Sequence, residues 1–130
     1  FRSYLFSAKS TILSLLFTRN GHVSIYDFMT QTLKMEYNTL REAYSYTLLC
    51  GGKMLACGDK KHIFFFELET GKRIGFYRDI HSDVINHLVA HPLYPTVFAS
   101  GSEDGLVIFI REFHFRFACS MWHEETRMTQ

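Results

Sequence analysis

From Ser3 to Ser120 the chain alternates short apolar runs with clusters of Gly, Asn and Asp. The runs are rich in β-branched and aromatic residues and mostly six to eight residues long, which is the pattern of strands separated by tight turns. They predict strands at SYLFSA, TILSLLFT, HVSIYDF, LKMEY, AYSYTLLC, KMLACG, HIFFFEL, KRIGFYR, VINHLVA, TVFASG and LVIFIRE. HFRFACS, from His114, reads as a twelfth. Helix signals are scarce, and so many strands in 130 residues leave room only for an all-β fold.

The pattern also repeats. RNGHVSIYDF, DKKHIFFFEL and EDGLVIFIRE each place a turn before a strongly apolar strand. Aligning the large apolar residue near each strand's end superposes Tyr26, Phe66 and Ile110, spaced by 40 and 44 residues. Asp27, Glu67 and Arg111 follow them. A period of about 42 residues suits a unit of four strands and their turns. One such unit cannot bury both of its faces alone, so stacked units are expected. Phe64 and Phe66 project to one side of their strand and Phe65 to the other, so both sides must be dry.

The third repeat carries the most specific motif. HSDVINHLVAHPLYPTVFASGSEDGLVIFI places a His, a Val, an HP pair and then SGSEDG before a hydrophobic strand. It resembles a repeat of the WD40 family, as does Thr70-Gly71-Lys72 after Phe66-Glu67, and the resemblance spans about residues 11–111. It implies part of a β-propeller, with residues 1–112 forming about three four-stranded blades (1–40, 41–80 and 81–112). Residues 113–130 would be an outer strand followed by a linker or docking tail. Propellers close with four or more blades, so further blades are expected from a longer parent chain or from a partner.

The family's hydrogen-bonded relay runs from a His through a Ser and an Asp to a Trp. Carried over by position it falls on His81, Ser100, Asp104 and Ile110. Ile110 has no N–H to donate, so the relay should end at Ser100 and Ile110 should contribute burial. The first two repeats put Tyr26 and Phe66 at the Trp position and have no matching His. Their blade core therefore rests on aromatic packing through Tyr26, Phe64 and Phe66.

The same residues have other chemical readings. Ser100, His81 and Asp104 are the residue types of a nucleophilic triad, but the serine lies inside a strand and no oxyanion donor is evident. Three histidines, His81, His87 and His91, lie close in sequence, yet a strand and an HP turn do not converge them, and no Cys or carboxylate completes a metal shell. Lys plus Arg is 14 against 13 for Asp plus Glu, so no basic field invites nucleic acid. No apolar run is long enough to span a bilayer as a helix. Cys50, Cys57 and Cys119 do not form a ligand set, and reduced thiols in an intracellular protein are the expectation, without choosing cytoplasm or nucleus.

These absences, with the resemblance, lead to a non-catalytic scaffold for protein–protein interaction, without metal or cofactor, and with other proteins of a complex as partners. Tyr94, between Pro92 and Pro95, and Trp122 in the tail are the candidate contact residues. The alternatives are a propeller enzyme or small-ligand protein using an axial channel, or a rim that binds nucleic acid or lipid.

Overall fold

The computed structural model describes residues 2–8 and 11–111, with side chains from Leu15 onward. The described residues form three antiparallel sheets and no α-helix. The first sheet contains β1 (Arg2–Ala8), β2 (Thr11–Phe17), β3 (His22–Asp27) and β4 (Thr32–Asn38). The second contains β5 (Ser45–Leu49), β6 (Met54–Gly58), β7 (Ile63–Glu67) and β8 (Arg73–Tyr77). The third contains β9 (Ile85–Ala90), β10 (Val97–Ser102) and β11 (Val107–Arg111). Each is a meander in which neighbours in sequence are neighbours in space. All eleven strands coincide with predicted ones to within two residues at either end. The twelfth, HFRFACS, lies outside the described residues.

The chain divides into two compact units, Phe1–Ala43 and Tyr44–Gln130. Internal irregularities recur between them. The β3–β4 ladder slips between Ile25 and Tyr26, and the β7–β8 ladder slips between Phe65 and Phe66, 40 residues later. The following turns match as well: the Gln31 N–H donates to the Asp27 carbonyl at 2.7 Å and the Gly71 N–H to the Glu67 carbonyl at 2.8 Å. Both donor residues have positive φ. A bulge strengthens twist and re-aims the strand after it, so a bulge at the same register gives β4 and β8 the same departure from their sheets.

The β2–β3 and β10–β11 hairpins share another turn. Thr18 and Ser102 each donate N–H to the residue four on, and each accepts from a glycine three on. Those glycines, Gly21 and Gly105, have φ of +92° and +85°. At Gly21 a Cβ would also lie 2.3 Å from the Arg41 carbonyl oxygen, so both backbone and space demand glycine. The β6–β7 hairpin is a residue shorter and closes at Asp59–His62, where the Asp59 carboxylate caps the Lys61 and His62 N–H groups.

In the second unit the core lies between the second and third sheets. Met54, Ala56, Ile63 and Phe65 of one meet Ile85, Leu88, Phe98 and Ile110 of the other. Phe65 meets Phe98 edge-on, with ring centroids 5.9 Å apart, and meets Tyr77 at 5.4 Å. Close approach requires Gly58, where a Cβ would sit 2.8 Å from Ile85 Cγ2. Ser45 seals the contact by donating its hydroxyl to the Ile85 carbonyl at 2.8 Å. On the other side of β7, Phe64 stacks on Phe76 at 5.4 Å. Phe64, Phe65 and Phe66 are 2, 0 and 2 % exposed, so both faces of β7 are dry.

Truncating a ring that fills such a core leaves a cavity, so Phe65→Ala should cost about 3–5 kcal/mol. Phe109→Ala, on a ring that is 80 % exposed, should change stability by less than about 0.5 kcal/mol. Urea unfolding of both variants checks the contrast, and equal losses would contradict the packing described.

Candidate functional site

The connection between β8 and β9 carries His81 down against the third sheet. Its ring is buried, with Nε2 2.7 Å from Ser100 Oγ on β10. Nδ1 lies 3.0 Å from Asp104 Oδ2 in the β10–β11 turn. An ionised Asp104 can only accept, so Nδ1 carries the proton and donates it. Nε2 and the Ser100 hydroxyl pair with each other, which leaves no polar side-chain atom of the trio unsatisfied.

Asp104 accepts two further donors, the Ser82 N–H at 3.0 Å and the Leu106 N–H at 2.9 Å. Desolvation pushes the carboxyl up, but these two backbone bonds and the bond and charge of His81 together outweigh it and lower the pKa to about 2. Around the relay the same connection is stitched to the same turn. The Glu103 N–H donates to the Val84 carbonyl at 3.0 Å, the Ser102 hydroxyl to the Asp83 carbonyl at 3.0 Å, and Asn86 Nδ2 to Glu103 Oε1 at 2.9 Å.

The connection is held equally firmly on its other side. The His81 N–H donates to the Lys61 carbonyl at 3.3 Å and the Ile85 N–H to the Asp59 carbonyl at 2.9 Å, both in the β6–β7 turn. The relay therefore joins a turn of the second sheet to a turn of the third. The first unit contains the same pair of backbone bonds, Thr39 N–H to the Gly21 carbonyl at 2.9 Å and Ala43 N–H to the Arg19 carbonyl at 2.7 Å. Thr39 stands 42 residues before His81, is buried, and returns its hydroxyl to the Gly21 carbonyl at 3.0 Å. The sequence offers no histidine at that place, and the two connections differ in length: Thr39 follows Tyr37 by two residues and His81 follows Tyr77 by four, although the two tyrosines occupy matching register positions opposite Val23 and Ile63.

Tyr26, Phe66 and Ile110 are each the penultimate residue of the third strand of a sheet. They lie opposite Ser14, Leu55 and Phe98 on the preceding strands. Phe66 and Ile110 are buried, whereas Tyr26 is half-buried. Asp27 and Glu67 close their turns, Asp27 accepting the Met29 and Thr30 N–H groups and Glu67 the Thr70 hydroxyl. His22 pairs with Glu36 at 3.3 Å, and His62 Nδ1 accepts the Asp79 N–H at 2.9 Å.

His87 is exposed on β9. His91 turns inward on its own loop, where Nδ1 accepts the Leu93 and Tyr94 N–H groups. Among the described residues no group of three or more His, Cys, Asp or Glu is placed to hold a metal ion. Tyr94 is 59 % exposed, and its ring rests against that of His91 with centroids 4.8 Å apart. Trp122 lies outside the described residues.

The cysteines depart from expectation. Cys57 is a buried free thiol, opposite Tyr46 rather than Cys50, and burial pushes its pKa up. Cys50 is disulfide-bonded, so the expectation of three reduced thiols does not hold and the cysteines no longer speak for an intracellular compartment. No described helix is long and apolar enough to cross a membrane. No protein-family model matches the chain, and no curated protein matches it.

Ser100→Ala leaves the buried Nε2 without its partner, and urea unfolding should show a loss of about 1–3 kcal/mol. Asp104→Asn tests the electrostatics. A depressed folded-state pKa gives stability that is complete above the unfolded carboxyl value of about 4 and is lost as pH falls through about 2. As pH falls from about 4 to 2, the stability difference between wild type and Asp104→Asn should shrink. A difference that grows with acid would contradict it.

Proposed function

We propose that the chain is part of a WD40-like β-propeller and acts as a non-catalytic scaffold for protein–protein interaction. The observation that carries this reading is the repeated connection. Backbone bonds from Thr39 and Ala43, and from His81 and Ile85, reach equivalent turn residues at matching spacings. Repeated bulges and the paired first strands β5 and β9, joined by Ser45 and Ile85, support it further. These are the features expected where successive blades are built alike and stacked side by side.

The relay supports a structural role for a grouping whose residue types resemble catalytic machinery. Ser100 is 0 % exposed, its hydroxyl is held by His81, and the ring's other nitrogen is held by Asp104. A nucleophile must reach substrate, and this hydroxyl cannot do so without unpacking the sheet. The fold by itself leaves the partner open.

A contact surface is best sought where large side chains are exposed but held in place. Leu93 and Tyr94, on the loop braced by His91, are 75 and 59 % exposed. An ordered aromatic loses little entropy on binding. Tyr94→Ala should leave stability within about 0.5 kcal/mol of wild type while reducing recovery of co-purifying proteins from a native extract. Quantitative affinity purification beside thermal denaturation checks this. Unchanged recovery would remove Tyr94 from the surface, and a large loss of stability would assign the ring to packing.

A further inference from the structure

Three turns of the chain hold their backbone in the same way, and one of them uses a different kind of acceptor. Asp27 Oδ1 accepts the N–H groups two and three residues on, from Met29 at 2.9 Å and Thr30 at 3.2 Å. Asp59 Oδ1 does the same for Lys61 at 2.8 Å and His62 at 2.7 Å. In the β9–β10 loop the acceptor is an imidazole, and His91 Nδ1 takes the Leu93 N–H at 3.0 Å and the Tyr94 N–H at 3.2 Å. The difference matters when a proton arrives. A carboxyl group keeps an accepting oxygen in either protonation state. An imidazole nitrogen has a single lone pair, so once protonated it stops accepting and faces the two N–H groups as a third donor.

We propose that His91 is a proton-sensitive latch, holding the exposed loop of Leu93 and Tyr94 in place only while its ring is neutral. Imidazole is the side chain that takes up a proton between about pH 5 and 8, so the loop is latched at the alkaline end of that range and released at the acid end. The surroundings offer the ring no counter-charge. The charged and titratable side chains on the segments around it are the Tyr94 phenol on the loop itself, His87 on β9, Arg111 opposite Val97, and Lys53. Lys53 follows the short turn Cys50–Gly52, which meets the loop where the Cys50 N–H donates to the Pro95 carbonyl at 2.9 Å. None of these side chains forms a hydrogen bond or ion pair with the ring, and Tyr94 touches it through its own ring alone. Release therefore costs both backbone bonds of the exposed pair and disturbs the surface on which Tyr94 rests. A loosened Tyr94 has more entropy to lose on binding, so acid weakens any contact made through this loop. That consequence rests on the contact reading proposed above, and the test separates the two.

Backbone amide NMR relaxation of the full chain, recorded near the two ends of that pH range, reads the order of each N–H group. At about pH 7.5 the order parameters of Leu93 and Tyr94 should be near about 0.85, and at about pH 5 they should fall below about 0.6. Those of Met29 and Thr30, held by Asp27, should stay unchanged. His91→Asn keeps an oxygen that can accept the same N–H groups and does not titrate, so its loop should be ordered at both pH values. His91→Ala removes the acceptor, and its loop should be disordered at both. Order parameters of Leu93 and Tyr94 that are the same at both pH values in wild type overturn the proposal. So does a His91→Asn loop that loosens with acid as wild type does, because the ring would not be the sensor. Unchanged recovery of co-purifying proteins by Tyr94→Ala, beside a loop that still latches, would instead overturn the contact reading and leave the latch standing.

Discussion

A strand that is apolar on both sides needs a cover on both sides, and the second sheet is organised around that constraint. Three consecutive phenylalanines on β7 are almost fully buried. Alternation sends Phe64 and Phe66 one way and Phe65 the other. The third sheet covers Phe65, and it can do so only because Gly58 lets Ile85 come close and Ser45 satisfies the Ile85 carbonyl. Apolar burial supplies most of the stabilisation, and the glycine and the serine set how closely the sheets approach.

Polar groups perform a different task. The β8–β9 connection must turn from the outer strand of one sheet to the first strand of the next without stranding its own backbone groups. His81 and Ile85 give their N–H groups to the β6–β7 turn, while the His81 ring and Ser82 engage Asp104 in the β10–β11 turn. The first unit solves the backbone half of this problem identically with Thr39 and Ala43, and its side-chain half with a single hydroxyl. The relay is thus an elaboration of a simpler backbone device.

Much of this was legible from residues alone. Strand positions followed from alternation and turn chemistry, because many of the apolar runs are bounded by Gly, Asn, Asp or Pro at tight turns. His81, Ser100 and Asp104 were singled out by spacing and motif. Thr39 escaped because its function rests on backbone bonds, which any residue other than proline can make. Ser45 escaped because its partner is a carbonyl, which leaves no mark on sequence. The Cys50 disulfide was missed because an odd number of cysteines without ligand spacing reads as reduced thiols, and a pairing set by tertiary contact leaves no local mark. The exposed Phe109 reads in sequence like the buried Phe65, since the pattern records what a face needs and not whether it is covered.

The account stands or falls on the second and third sheets packing face to face through their aromatic residues. A double-mutant cycle on Phe65 and Phe98, read by urea unfolding of Phe65→Leu, Phe98→Leu and the double variant, measures that contact directly. Rings 5.9 Å apart at 70° should give a coupling energy of about 0.5–1.5 kcal/mol. Losses that add within about 0.3 kcal/mol would mean that the two rings do not meet, and the stacked arrangement would be wrong.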